Sequence, residues 1–333
     1  MSGAAGTAGG TRSVWLTAAA WRRLFRERPL IPLLGLLAIL VGLLDLASPG
    51  IIAPFWFSTT LKAAVPLAIL AGCQTMTMLT AGIDLSVGMV ASASAYILAT
   101  QSSGQGVPIA LLLALAAAAF AGLVNGIGVG VFRVHPLIMT LGMSLIVLGL
   151  ITVYQLEIVK RGVNVPDVIT WLGSGTSFGI LPNNLLVFVP VAAIILLTLL
   201  RSGFGRLLYA VGDNPVASRL AGVRSWQVLI ALYVVSGLLA GIAGVLYAGL
   251  TQTATLSLVQ ELVLPSVAAA VIGGTSIMGG RGGYSGTIVG ALILTVLTTL
   301  LSVLAMPEAV RQMLFGAIIV FVAAAYTRVT DQS

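Results

Sequence analysis

The stretch Thr80-Ala81-Gly82-Ile83-Asp84-Leu85-Ser86-Val87-Gly88 sets a carboxylate among glycines in the middle of apolar sequence. No charged residue occurs from Ala63 to Ile83 or from Leu85 to Phe132, so Asp84 stands alone between two membrane-compatible runs. An acid at such a position costs about 2.5 to 3.5 kcal/mol on insertion scales, and acids so placed face a bundle interior or a water-filled cavity. The glycines permit a kinked or non-helical backbone, which is tolerated at membrane depth only where it is buried in protein or lines a cavity. The pattern is that of a helix broken inside a polytopic bundle.

Composition widens this to the whole chain. Of 333 residues, 59% are hydrophobic and 8% charged, far from the roughly 25% charged residues of soluble domains. The 39 glycines suit helices that approach closely, as in a packed bundle. The net charge of +7 is spread between apolar runs rather than gathered into a basic patch with interleaved aromatics, which argues against nucleic acid as a partner and for charges that orient the chain in a bilayer. One cysteine, Cys73, and one histidine, His135, with no Cys/His/carboxylate cluster at ligand spacing, give no expectation of a metal site. The small, polar start of the chain is expected to be disordered, and Arg22-Arg23-Leu24-Phe25-Arg26-Glu27-Arg28 leads straight into a full-length span instead of a cleavable signal peptide.

Read in order, the apolar runs predict an all-α membrane protein of about ten transmembrane helices. They are 29–47, 63–79, 87–99, 108–132, a fifth ending near Tyr154, 185–200, 226–249, a shorter 262–277, 284–305 and 308–326. The segment 48–57 reads as an interfacial loop or short helix, 101–106 as a polar turn, and 155–184 as a polar loop. An N-terminal segment 1–28, one transmembrane domain 29–327 with a cytoplasmic segment at about 201–225, and a tail 328–333 complete the organisation. Ten spans put both termini on one side. With that side cytoplasmic, the inside collects Arg12, Arg22, Arg23, Arg26, Arg28, Arg133, Arg201, Arg206, Arg219, Arg224, Arg281 and Arg328, and the outside only Lys62, Lys160, Arg161 and Arg311. That asymmetry is the one the positive-inside rule expects.

The chain carries no energy source of its own. Neither of its two lysines, Lys62 and Lys160, ends a phosphate-binding Gly-Lys-Ser/Thr pattern, and Asp84 is the one strong intramembrane ionisable candidate. Energy is therefore expected from a partner that docks on the cytoplasmic side. Gly212-Asp213-Asn214-Pro215-Val216-Ala217-Ser218-Arg219-Leu220-Ala221-Gly222-Val223 has the form of a docking surface: Asp213 or Asn214 can cap a short helix begun by Pro215, and Gly222 can end it. A plain connecting helix is the other reading of the same pattern.

These residues carry a resemblance. Gly82 to Gly88, the run 212–223, and Val271-Ile272-Gly273-Gly274-Thr275-Ser276-Ile277-Met278-Gly279-Gly280, in that order, resemble the permease subunits of ribose-type bacterial ABC sugar importers, over roughly Leu61 to Tyr326. The resemblance implies a multi-pass inner-membrane permease, not an enzyme, that pairs with a second permease copy or paralogue. It also implies an ABC ATPase subunit, holding ATP and Mg, docked through Gly212, Asp213, Asn214, Ala217, Ser218 and Gly222, and sugar received from an extracytoplasmic binding protein. Ala217-Ser218 stands where the family usually has two alanines, a small-for-small change. A stand-alone proton-coupled carrier using Asp84 is the alternative.

For the breaks, two readings stay open. Asp84 accepts hydrogen bonds from the N–H of Ser86 or Val87 and fixes a helix start, or Gly82, Asp84, Ser86 and Gly88 line the translocation path or a hinge. Gly273, Gly274, Gly279 and Gly280 form a second break, for close packing or for gating. Polar side chains on the spans, Gln74 and Asn125 first among them, with Thr75, Thr77, Tyr233, Ser236, Tyr247 and Gln252, are candidates for the substrate path, though no spacing singles one out.

Overall fold

The computed structural model describes residues 30–158 and 163–330; the segment 1–28 and the pair Lys160 and Arg161, expected on the outer side, lie outside them. The helices, in order, are α1 (Leu30–Ala47), α2 (Pro54–Leu79), α3 (Val87–Gln105), α4 (Val107–Gly130), α5 (Pro136–Ile158), α6 (Asp167–Ser174), α7 (Leu185–Arg201), α8 (Gly203–Asp213), α9 (Pro215–Leu220), α10 (Ser225–Thr251), α11 (Val263–Ile272), α12 (Tyr284–Val303) and α13 (Glu308–Thr330). A two-residue-per-strand hairpin, β1 (Thr176–Ser177) against β2 (Leu181–Pro182), follows α6. Among the described residues, α1, α2, α4, α5, α10 and α12 are each long and apolar enough to cross a membrane, and α7 with α8, bent by 65° at Ser202, makes a seventh such unit. Of the other expected spans, α3 is threaded by Ser92, Ser94 and Thr100 to Ser103, and α11 has only 10 residues.

Small residues decide how the helices cross. Ala110, Ala114, Ala118, Gly122, Gly126 and Gly130 recur every fourth residue along α4 and so share one face. A Cβ on Gly122 would meet the carbonyl oxygen of Tyr233 on α10 at 2.2 Å, and one on Gly237 of α10 would meet the carbonyl oxygen of Ala118 at 2.3 Å. The two backbones therefore touch, which is the van der Waals route to helix association in lipid. Outward faces are apolar: Leu34 and Ile39 on α1, Leu141 and Leu145 on α5, and Ile194 and Leu200 on α7 are all exposed, as a hydrocarbon surround requires.

One end of the bundle gathers the end of α2, the start of α10 and the α8–α9 segment, with Arg133, Arg219 and Arg224 around one cavity. At the other end Lys62 donates to the Ser174 carbonyl, Asn184 Nδ2 donates to the Lys62 carbonyl at 2.9 Å, and Gly249 packs on the Ile169 carbonyl.

Several boundaries differ from the sequence expectation. Helix α2 begins at Pro54, so the aromatics of 54–57 are helical, and Trp56 packs inward beside Leu44 and Leu300. The expected turn at 101–106 is helical to Gln105 and ends at Gly106, whose φ of +81° suits glycine. The eighth helix stops at Ile272, because Gly274 takes φ +90°. The polar loop 155–184 holds α6 and the hairpin, and the polar segment after Arg201 is helix α8, whose start is capped by Ser202 Oγ accepting from Gly205 N–H at 3.0 Å.

Candidate functional site: a helix break joined to a docking segment

Between α2 and α3 the backbone leaves the helix for 82–84, and every polar group so freed needs a partner. Gln74, about one and a half turns back on α2, supplies two: its Nε2 donates to the Asp84 carbonyl at 2.8 Å and its Oε1 accepts from Asp84 N–H at 3.2 Å. Thr140 on α5 accepts from Leu85 N–H at 3.0 Å. The Asp84 side chain, 2% exposed, accepts at Oδ1 from Ser86 N–H at 3.0 Å and Ser86 Oγ at 2.6 Å, and at Oδ2 from Ser236 Oγ at 2.9 Å. Asn125 Nδ2 donates in turn to Ser86 Oγ at 2.8 Å. Ser86 at the start of α3 and Ser236 on α10 thus hold the carboxylate, with Gln74 on α2 bonding to the Asp84 backbone and Asn125 on α4 bonding to Ser86. No cation neutralises it: the salt bridge between Arg311 and Glu308, on α13, is the one ion pair among the described residues.

Ser236 is the twelfth residue of α10, which begins at Ser225, so the break lies about 17 Å along that helix and inside the bundle. Asn125 Oδ1 and the Tyr233 hydroxyl are buried without partners. Tyr233 Oη lies 3.2 Å from where a Cβ on Gly82 would be, and Pro136 equally close, so a side chain there would crowd the break. Gly88 is in the first turn of α3, where a Cβ would come within 2.3 Å of Val263 on α11.

The run 212–223 splits into two structural parts. Gly212 and Asp213 close α8, and Gly212 is buried against the end of α2: a Cβ there would be 1.7 Å from the Leu79 carbonyl oxygen. Gly212 is therefore packed against backbone in this structure. Asn214, not Asp213, caps α9, with Oδ1 accepting from Val216 and Ala217 N–H at 3.1 and 2.9 Å. Ser218 turns inward and donates to the Ala210 carbonyl at 2.7 Å, while Ala217 is exposed between Val216 and Leu220, which are 56% and 86% exposed. Gly222 ends the segment at φ +85°.

The second break closes on the same point. Gly280 N–H donates to the Leu79 carbonyl at 3.0 Å, Gly279 and Gly280 approach Gly212 and Asp213 so nearly that a Cβ would come within about 3 Å of their backbones, and Tyr209 on α8 donates to the Gly282 carbonyl at 2.9 Å. Gly273 and Gly274 lie apart from this junction, at the end of α11, where Gly273 packs on Gly286 and Thr287 of α12. Gln74 and Asn125 belong to the Asp84 network, 0% and 1% exposed, and front no open conduit in this structure. Thr140 and Tyr209 were not legible as members, since one threonine or tyrosine in apolar sequence looks like any other. The one sign was that Thr140 lies four residues after Pro136, where its hydroxyl can bond back to the Pro136 carbonyl.

Residues 56–323 match the family model described as "Branched-chain amino acid transport system / permease component". The chain is 34% identical over 311 residues to the ribose import permease protein of Escherichia coli, covering 91% of this chain and 93% of that one. It is 31% identical over 301 residues to the fructose import permease protein of Rhizobium meliloti, covering 88% and 84%, and 36% identical over 267 residues to the galactofuranose transporter permease protein of Escherichia coli, covering 79% and 76%. No solved structure matches the chain. A bundle of apolar helices with a broken helix and a surface segment locked to it, matched over most of its length to transport permeases, is a multi-pass membrane transport subunit and not an enzyme: the chain belongs to the branched-chain amino acid transport system / permease component family, among the permeases of ABC importers.

Proposed function

We propose that this chain forms the translocation path of an ATP-driven uptake system for a monosaccharide or a related small polar solute. An extracytoplasmic binding protein delivers the solute, and separate ATPase subunits hold the ATP and magnesium. The names of the relatives support a sugar over the amino acid of the family description, for they are ribose, fructose and galactofuranose permeases. The proposal includes ten spans with both termini cytoplasmic, a permease domain over 29–327 between a cytoplasmic lead of 1–28 and a tail of 328–333, and a second permease copy or paralogue across the path. The grouping of Arg133, Arg219 and Arg224 at one end of the bundle and Lys62 at the other supports that orientation.

The observation that carries the reading is the junction of Leu79, Gly212 and Gly280. Helix α9 offers Val216, Ala217 and Leu220 to a partner, and its cap Asn214 follows directly on Asp213 and Gly212. Because the contacts of Gly212 leave no room for even a methyl group, a displacement of α9 by the ATPase subunit passes without slack to the end of α2 and to the 279–282 turn. Helix α2 then carries it about one and a half turns to Gln74 and the Asp84 break. In this role Asp84, Ser86 and Gly82 form the joint of the pathway wall, and Gly279 and Gly280 the second contact of the same lever. Replacing Ala217 with Glu sets a charge in the apolar docking face without touching the core. Less than about a tenth of the ATPase subunit is expected to co-purify with Ala217→Glu, at unchanged membrane abundance; undiminished co-purification would sink the assignment.

A further inference from the structure

Where α4 ends and α5 and α10 begin, a cavity of about 590 Å³ opens beside α9. Three guanidinium groups line it, those of Arg133, Arg219 and Arg224, and no aspartate or glutamate does. All three arginines are exposed and none forms an ion pair among the described residues. Guanidinium groups stay charged at any accessible pH, so the cavity wall is permanently cationic. Two further features point the same way. Helix α10 starts here with 27 residues and no side-chain cap, and although Ser225, Gln227 and Val228 N–H donate to the Val223 and Arg224 carbonyls, the positive end of its dipole faces this region. Ser225 Oγ, in the same wall, is buried without a hydrogen-bond partner. Positive charge from three helix ends converges with no carboxylate to neutralise it among the described residues, although Arg219 Nε donates to the Pro215 carbonyl at 3.2 Å.

We propose that this cavity seats the phosphate of an anionic phospholipid from the surrounding leaflet. The phosphate oxygens accept from the arginines and from Ser225 Oγ, and the acyl chains run along the apolar part of the wall. That wall, made of Val129, Val131, Trp226 and Leu229, lies at the level where three membrane helices begin or end, and Trp226 is the residue type that settles at headgroup depth. A soluble phosphate would have no use for it. Because Arg219 belongs to α9, the lipid ties the docking helix to the ends of α4 and α10. The proposal takes from the transport reading only the choice of leaflet, the cytoplasmic one, where basic pockets between helices meet anionic headgroups.

Lipid retention by the full-length protein in detergent tests this whatever the orientation or cargo. The purified chain is mixed with phosphatidylglycerol or phosphatidylcholine, and bound lipid is counted by native mass spectrometry. Phosphatidylglycerol is expected to be held at least about tenfold more than phosphatidylcholine, and the preference to vanish in Arg133→Gln/Arg219→Gln/Arg224→Gln, since each interfacial arginine is worth roughly fivefold. The single change Arg219→Gln, on an exposed side chain, is expected to lose roughly fivefold and covers the case in which the triple variant fails to fold. Arg201→Gln/Arg206→Gln, outside the cavity, should retain the lipid. Equal retention of the two lipids, or an unchanged preference in the variants, overturns the site. Displacement by excess inorganic phosphate overturns the lipid as its occupant in favour of a soluble anion, and release on adding the ATPase subunit makes the arginines protein contacts instead.

Discussion

Asp84 is held by donors alone: two from Ser86 and one from Ser236, with no cation in reach among the described residues. This separates a joint from a proton carrier. Asp84→Asn keeps an acceptor oxygen for Ser86, and the Ser236 hydroxyl can turn to accept from the new amide; the expected cost is about 1 kcal/mol, with solute uptake retained. Asp84→Ala strands the Ser86 N–H and both hydroxyls in a buried site, and about 3 to 5 kcal/mol is expected to be lost. Thermal unfolding of both variants in detergent, beside uptake by reconstituted vesicles, checks the pair. Uptake abolished in Asp84→Asn at near-native stability would restore the proton-carrier reading. The sequence revealed half of this site. An isolated acid in an uncharged run is conspicuous and its bond to Ser86 is local, whereas Ser236 lies 152 residues away among many other hydroxyls and became a partner only through the crossing of α10 over α3 and α4.

Among the elements, α8 and α9 divide the run 212–223 into a buried end and an exposed helix, the proposed lever and the proposed contact. Substitutions in the two parts should behave differently although they are two residues apart. Gly212→Ala drives a methyl group into the Leu79 carbonyl, whose oxygen would be 1.7 Å away, and backbone on both sides of that contact leaves little to relax. A loss of about 3 kcal/mol or more is expected, seen as reduced membrane accumulation. Asn214→Ala removes only the cap of α9 and should cost about 1 kcal/mol, leaving accumulation intact while weakening ATPase co-purification. Quantitative immunoblotting of membranes beside pull-down yields compares the two, and similar outcomes for both variants would argue against the division. Glycine, polar residue and proline in succession look like surface from sequence, and that held for 213–217. It misplaced Gly212, because what a glycine is for depends on the backbone that approaches it.

For the whole molecule, the proposed orientation places the hairpin after α6 outside and α9 inside. Phe178 and Leu220 are 94% and 86% exposed, and Cys73, the only cysteine, is buried. In a Cys73→Ala background, a membrane-impermeant maleimide applied to intact cells with a permeabilised outer envelope is expected to modify Phe178→Cys and spare Leu220→Cys until the inner membrane is lysed. The opposite pattern inverts the topology, and equal labelling removes the membrane between the two sites. The same arrangement explains why α3 is less apolar than its neighbours: it starts at the break inside the bundle and is wrapped by α4, α5 and α10, so Ser92 and Ser94 bond to protein and not to lipid.

What the sequence determined by itself was the solvent of the protein and the identity of its unusual points. A chain with 8% charged residues has nowhere to bury its apolar runs but a bilayer, and a lone acid, a capped short helix and a glycine run mark themselves by contrast with that background. Their relation to one another was decided by tertiary structure. That the end of α2, the last turn of α8 and the 279–282 turn share one junction follows from backbone contacts between residues far apart in sequence, at glycines whose missing side chains permit the approach. Such contacts depend on how whole helices cross, and no local pattern records a crossing.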